Sequence, residues 1–174
     1  MAQAWERQPD PRWHVLFPDV RTLQAEVSRW RVGEWVPDGV ASLLGTARDL
    51  LVDSYFAYSY SFAAAEKALQ ALEACLRGCL PAREGQVDKR GLGQLIVEGA
   101  GARRCLLTAP EADTLRSSAR FRNDIAHGKI MCHQDPAKAY GPRDVLTFVE
   151  SIHEAVTDLY ERTAGQQTEA PLPA

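Results

Sequence analysis

Apolar residues recur at intervals of three and four along most of this chain, and nowhere do they alternate at the interval of two that a half-buried strand requires. Val40, Leu43, Leu44, Ala47, Leu50 and Leu51 form one such stripe, and Phe62, Ala65, Leu69, Leu72, Leu76 and Leu80 a second. Val145, Phe148, Val149, Ile152, Val156 and Leu159 form a third. The spacing predicts amphipathic helices over about residues 39–53 and 56–79, with a bend in the aromatic run SYFAYSYSF at 54–62, whose residues are poor helix formers. A last long helix follows GPRDV. Between these, 81–91 reads as a turn, and LGQLIVEGAGARR as a short helix ended by Gly99 and Gly101. Pro110 opens a further helix, with Glu111 and Asp113 in its first turn, which runs to about Ala126 before Gly128 stops it. Residues 129–141 read as a polar loop.

The fold class expected is therefore all-α, an antiparallel bundle of about four to six helices. A length of 174 residues suits one domain with a substantial core. The bundle is expected over 38–163. Residues 1–37, where Trp5, Trp13, Trp30 and Trp35 alternate with Pro9, Pro11, Pro18 and Pro37, read as an irregular lead-in. Val20, Leu23, Val27 and Trp30 supply one short helix within it. Residues 164–174 lack apolar periodicity and are expected to be disordered.

No apolar run approaches the ~20 residues of a membrane-spanning helix, and the charged, proline-broken start is unlike a secretory signal. A cytoplasmic protein that does not enter the membrane is expected. Cys75 and Cys79 stand one helical turn apart, but within an alanine- and leucine-rich helix rather than on the turn that a structural zinc site uses. Together with Cys105 and Cys132 they read as reduced thiols, and no metal or other cofactor is expected. The net charge of −3 will not attract nucleic acid to the surface as a whole, so any such partner needs a local basic patch.

One segment supplies such a patch. On a helix Arg116, Arg120, Asn123 and His127 fall within about 60° of one another. Arg103 and Arg104 precede that helix, and Lys129 follows it. Arginine's planar fork suits phosphate. Arg122 differs, lying about 140° from His127 on an ideal helix, toward Leu115, Ala119 and Ala126. Both can serve one atom only if the helix ends early and lets His127 swing round, or if a two-fold mate supplies its own copy. A bland account stands beside this. Arg122 would be a buried partner of Glu66 or Glu73, His127 a helix cap, Arg116 and Arg120 a solvated face, and His153 a half-exposed helix residue.

The run Arg122-Asn123-Asp124-Ile125-Ala126-His127 fits the Arg-x4-6-His motif of the HEPN superfamily, which the chain resembles over roughly residues 38–163. The resemblance implies a HEPN-like helical bundle that dimerises and holds both motifs in a basic cleft. It further implies metal-independent cleavage of single-stranded RNA by attack of a ribose 2′-hydroxyl on the adjacent phosphate. By carry-over, His127 is the acid/base, Arg122 the electrostatic stabiliser and Asn123 an orienting residue. Asp124 and Glu66 would be auxiliary, and Arg116, Arg120, Lys129, Arg103 and Arg104 would bind phosphate. The implied partners are a second copy of the chain, RNA, and an antitoxin or regulatory protein in a toxin–antitoxin, stress or phage-defence setting. Many HEPN domains keep the fold without the activity, so a non-catalytic binding or regulatory module is the alternative. Lys129 stands where HEPN toxins paired with nucleotidyltransferases carry a tyrosine, so regulation by adenylation of that tyrosine is not implied.

Overall fold

A computed structural model describes residues 7–80, 89–101, 106–126 and 140–168. Among these it contains seven helices and no strand: α1 (Pro11–His14), α2 (Val20–Val27), α3 (Asp38–Asp53), α4 (Ser59–Cys79), α5 (Leu92–Gly99), α6 (Ala109–Ala126) and α7 (Pro142–Thr168). The chain is all-α, as its periodicity predicts. No helix among the described residues is long and apolar enough to cross a membrane.

Helix α4 is the hub, packed against α3, α5, α6 and α7. Its buried stripe is built from small residues, Ala64, Ala65, Ala68 and Ala71, interleaved with Leu69, Leu72, Cys75 and Leu76. Small side chains let neighbouring helices approach closely while the leucines fill the space between them. Facing it, α3 buries Val40, Leu44, Ala47 and Leu51, and α7 buries Val145, Val149, Ile152, Val156 and Leu159. The turn between α3 and α4 is closed by side chains on the backbone: Ser54 Oγ donates to the Leu51 carbonyl at 2.6 Å and Ser61 Oγ to the Tyr58 carbonyl at 2.7 Å. These bonds explain how two buried serines are tolerated among apolar residues.

The N-terminal lead-in holds two helices rather than one, each started by an aspartate. Asp10 caps α1, accepting from the Arg12 backbone N–H at 3.0 Å and from its guanidinium at 2.8 and 2.9 Å. Asp19 caps α2, accepting from the Thr22 N–H at 2.8 Å. The segment docks on the bundle. The Asp10 N–H donates to the Tyr55 carbonyl at 2.7 Å, and fully buried Trp13 packs 6.0 Å from the Phe17 ring and 6.3 Å from Tyr58. At the other end α7 continues to Thr168, five residues past the 163 boundary that the apolar stripe suggests.

Candidate functional site

Helix α6 carries the basic segment, and its start is more firmly set than Pro110 alone would make it. Thr108 and Glu111 form a reciprocal cap: Glu111 Oε2 accepts from the Thr108 N–H at 2.6 Å and its hydroxyl at 2.8 Å, and the Glu111 N–H donates to Thr108 Oγ1 at 3.4 Å. Arg162 of α7 donates to Glu111 Oε1 at 2.9 Å. Burial pushes the Glu111 carboxyl upward, but the hydrogen bonds from Thr108 and Arg162 outweigh it and hold the pKa below the usual glutamate value.

Along α6, Ala112, Leu115, Ser118 and Phe121 are buried, while Asp113, Arg116, Ser117 and Arg120 are exposed. Two arginines therefore share the solvent face, as the helical wheel requires. Arg116 is ion-paired with Asp113, three residues earlier. Arg120 is exposed one turn further on. The backbones of Arg122, Asn123 and Asp124 continue the same helix to Ala126. On the helical repeat Arg122 shares a register with Ser118, four residues earlier, and not with Arg116 and Arg120. The side chains of Arg122, Asn123 and Asp124 lie outside the described residues, as do His127, Lys129, Arg103 and Arg104 entirely.

Glu66 is exposed on α4 and accepts from Gln70 Nε2 at 3.5 Å. Glu73, the other carboxylate offered as an Arg122 partner, receives the Arg77 guanidinium at 2.5 Å along its own helix. Of the aromatic run, Tyr55 and Tyr58 are buried, whereas Tyr60 is exposed. Phe121, between the two arginine positions 120 and 122, anchors an aromatic cluster: its ring centroid is 4.5 Å from both Tyr140 and Phe148. Tyr140 lies at the end of the stretch expected to be a polar loop, and its packing was hidden by that reading. The signal available was a tyrosine immediately before the Gly-Pro helix start.

His153 requires a correction. It is buried, not half-exposed, with its ring 5.9 Å from Trp30. Neither His153 Nε2 nor Trp30 Nε1 has a hydrogen-bond partner. Burial first, and the Arg48 guanidinium second, lower its pKa to about 4, so the imidazole is neutral at pH 7. The misreading arises because the 28–33 segment, anchored where Arg48 donates to the Trp30 carbonyl at 2.9 Å, covers a face of α7 that the helix alone would leave open. Cys75 and Cys79 are free thiols; the Thr163 hydroxyl donates to Cys79 Sγ at 3.7 Å.

No family model, curated protein or solved structure matches the chain.

Proposed function

We propose that this protein is a metal-independent endoribonuclease of HEPN type, acting as a homodimer on single-stranded RNA. The observation that carries this reading is the exposed arginine face of α6, Arg116 and Arg120, on the same helix whose last turn leads into Arg122-Asn123-Asp124-Ile125-Ala126-His127 in an all-α chain. An exposed guanidinium pair attracts phosphate, and the motif supplies the two groups that the chemistry needs. In the step itself His127 takes the proton of a ribose 2′-hydroxyl as its oxygen attacks the neighbouring phosphorus. Arg122 stabilises the charge on the phosphorane, with Asn123 orienting it. The P–O5′ bond breaks as the 5′-oxygen takes a proton from protonated His127 or from water, giving a 2′,3′-cyclic phosphate and a free 5′-hydroxyl. A nuclease of this kind needs restraint, which fits control by an antitoxin-like partner or a stress or defence trigger.

A second reading has its own support. The helical register of Arg122, shared with Ser118 and not with the exposed Arg116 and Arg120, suits a structural arginine in a HEPN-like module that binds without cutting. One experiment separates the two: incubation of the protein and His127→Ala with labelled single-stranded RNA in EDTA, alongside light scattering. Cleavage to cyclic-phosphate ends by the wild-type dimer alone supports the nuclease. RNA binding without cleavage by either protein favours the module, and a monomer removes the shared cleft.

A further inference from the structure

A ribonuclease must hold the base beside the bond that it cuts, and backbone arginines alone do not do so. Single-stranded nucleic acid is gripped by aromatic faces on which bases stack, next to cations that track the phosphates. Among the described residues the exposed aromatic side chains are Trp35, Tyr60 and Tyr140. Trp35 follows Glu34 and is soon succeeded by Asp38, an acidic setting. Tyr60 lies by a small cavity shared with Arg7, whose charge is opposed by Asp53 at 3.6 Å. Tyr140 has exposed arginines close to it along the chain or next to its packing partner. It packs on Phe121, the residue after Arg120, and Arg143 is exposed in the first turn of α7, three residues beyond it.

Resting on the nuclease reading above, we propose that Tyr140 is a base-stacking platform for single-stranded RNA, with Arg143 and Arg120 as the phosphate contacts on either side of it. Tyr140 keeps 37% of its surface exposed, although its ring centroid lies 4.5 Å from Phe121 at an interplanar angle of 78°. Its backbone is fixed from the interior, because the buried Tyr58 hydroxyl donates to the Tyr140 carbonyl at 2.6 Å. Tyr58 is itself clamped by Trp13, by an edge-on Phe62 ring at 5.4 Å and by the Arg12 guanidinium 3.9 Å from its ring centre. A stacking side chain held this way loses little freedom on binding, which is what makes aromatic contacts effective. Asp144, the carboxylate next to Arg143 in sequence, is turned to the start of α7, where its Oδ2 accepts from the Gly141 N–H at 2.8 Å.

The test measures binding of the full chain to a single-stranded RNA oligonucleotide and to one of equal length with abasic sites, using wild type, Tyr140→Phe, Tyr140→Trp and Tyr140→Ala. Stacking on one base predicts that Tyr140→Ala binds the intact RNA about 5- to 100-fold more weakly, that the phenylalanine and tryptophan variants bind as wild type does, and that the abasic strand does not distinguish any of them. Wild type that binds or cleaves RNA while Tyr140→Ala does so equally well overturns the platform and leaves the nuclease reading standing. An equal loss on intact and abasic strands also overturns it, assigning Tyr140 to the packing of Phe121. Wild type that neither binds nor cleaves RNA overturns both.

Discussion

The interior of this bundle and its α6 edge are built from opposite materials. Where α4 meets α3 and α7, three apolar stripes interlock, and their titratable members are few and engaged: Glu73 with Arg77, and Cys75 within bonding distance of the Val156 carbonyl at 4.0 Å. On α6 the buried residues Ala112, Leu115 and Phe121 are joined by a polar one, Ser118. The exposed positions of the helix include Asp113, Arg116 and Arg120. A helix at the edge of the bundle can carry exposed charge because the neighbouring hub supplies the folding free energy.

The largest expected effect lies in the hub. Leu72→Ala, at a fully buried position on α4, should lower unfolding free energy by about 2–5 kcal/mol in urea titrations. Arg120→Ala on exposed α6 should change it by less than about 0.5 kcal/mol. Comparable losses from both would break the division.

His153 sharpens the comparison, because it is a titratable group placed on the hub's side. Its folded pKa is lowered from 6.5 to about 4, so the unfolded chain takes up a proton that the native protein refuses. Stability should therefore be intact above pH 6.5 and fall as pH drops toward 4, by up to about 3 kcal/mol. Arg48 of α3 opposes the proton, while Glu150 and Glu154 of α7 border the same cavity of about 280 Å³ and would favour it. Replacing His153 by phenylalanine should flatten the stability profile over this window. Asp10 titrates lower, since its hydrogen bond from Arg12 brings it to about 2, and its contribution disappears only between 3.8 and that value. A profile in which the variant still falls between pH 6.5 and 4 would reject the assignment to His153.

A smaller effect joins the two regions. Tyr58→Phe removes the hydrogen bond to the Tyr140 carbonyl without opening a cavity, and about 1 kcal/mol of stability should go with it. If Tyr140 is held in place by that bond, RNA affinity should drop as well, although Tyr58 is buried.

How much of this could be read from the chain divides along the same line. The hub's helices are long, regular and bounded by strong signals, and α3 and α4 lie at Asp38–Asp53 and Ser59–Cys79, close to the ranges that the periodicity marks. The cap of α6 is written in the sequence too, as Thr108-Ala109-Pro110-Glu111, although Pro110 by itself already marks a helix start there. What a helical wheel could not supply was coverage by distant chain. His153 looks half-exposed on α7 alone, and is buried because Trp30 of the lead-in lies over it. Tyr140 reads as loop until it is seen packed on Phe121, which in turn packs on Phe148. For the motif, the wheel separates Arg122 from the Arg116 and Arg120 face, and the buried Ser118 one turn earlier agrees with that register.

The smallest effect expected on stability is the most informative about α6. Arg116 is paired with Asp113 across an exposed surface, an interaction worth at most about 1 kcal/mol and weakened by salt. If the α6 face meets the RNA backbone, that pair competes with phosphate for the same guanidinium. Asp113→Asn removes the competitor and one negative charge together. It should leave the melting temperature nearly unchanged, while RNA binding at low salt tightens several-fold and the slope of log affinity against log salt steepens by up to about one phosphate equivalent. Arg116→Ala should do the reverse. Were both variants to bind RNA as wild type does, with unaltered salt slopes, the arginines of α6 would be a solvated face and no more, and the contrast between hub and edge would concern stability alone.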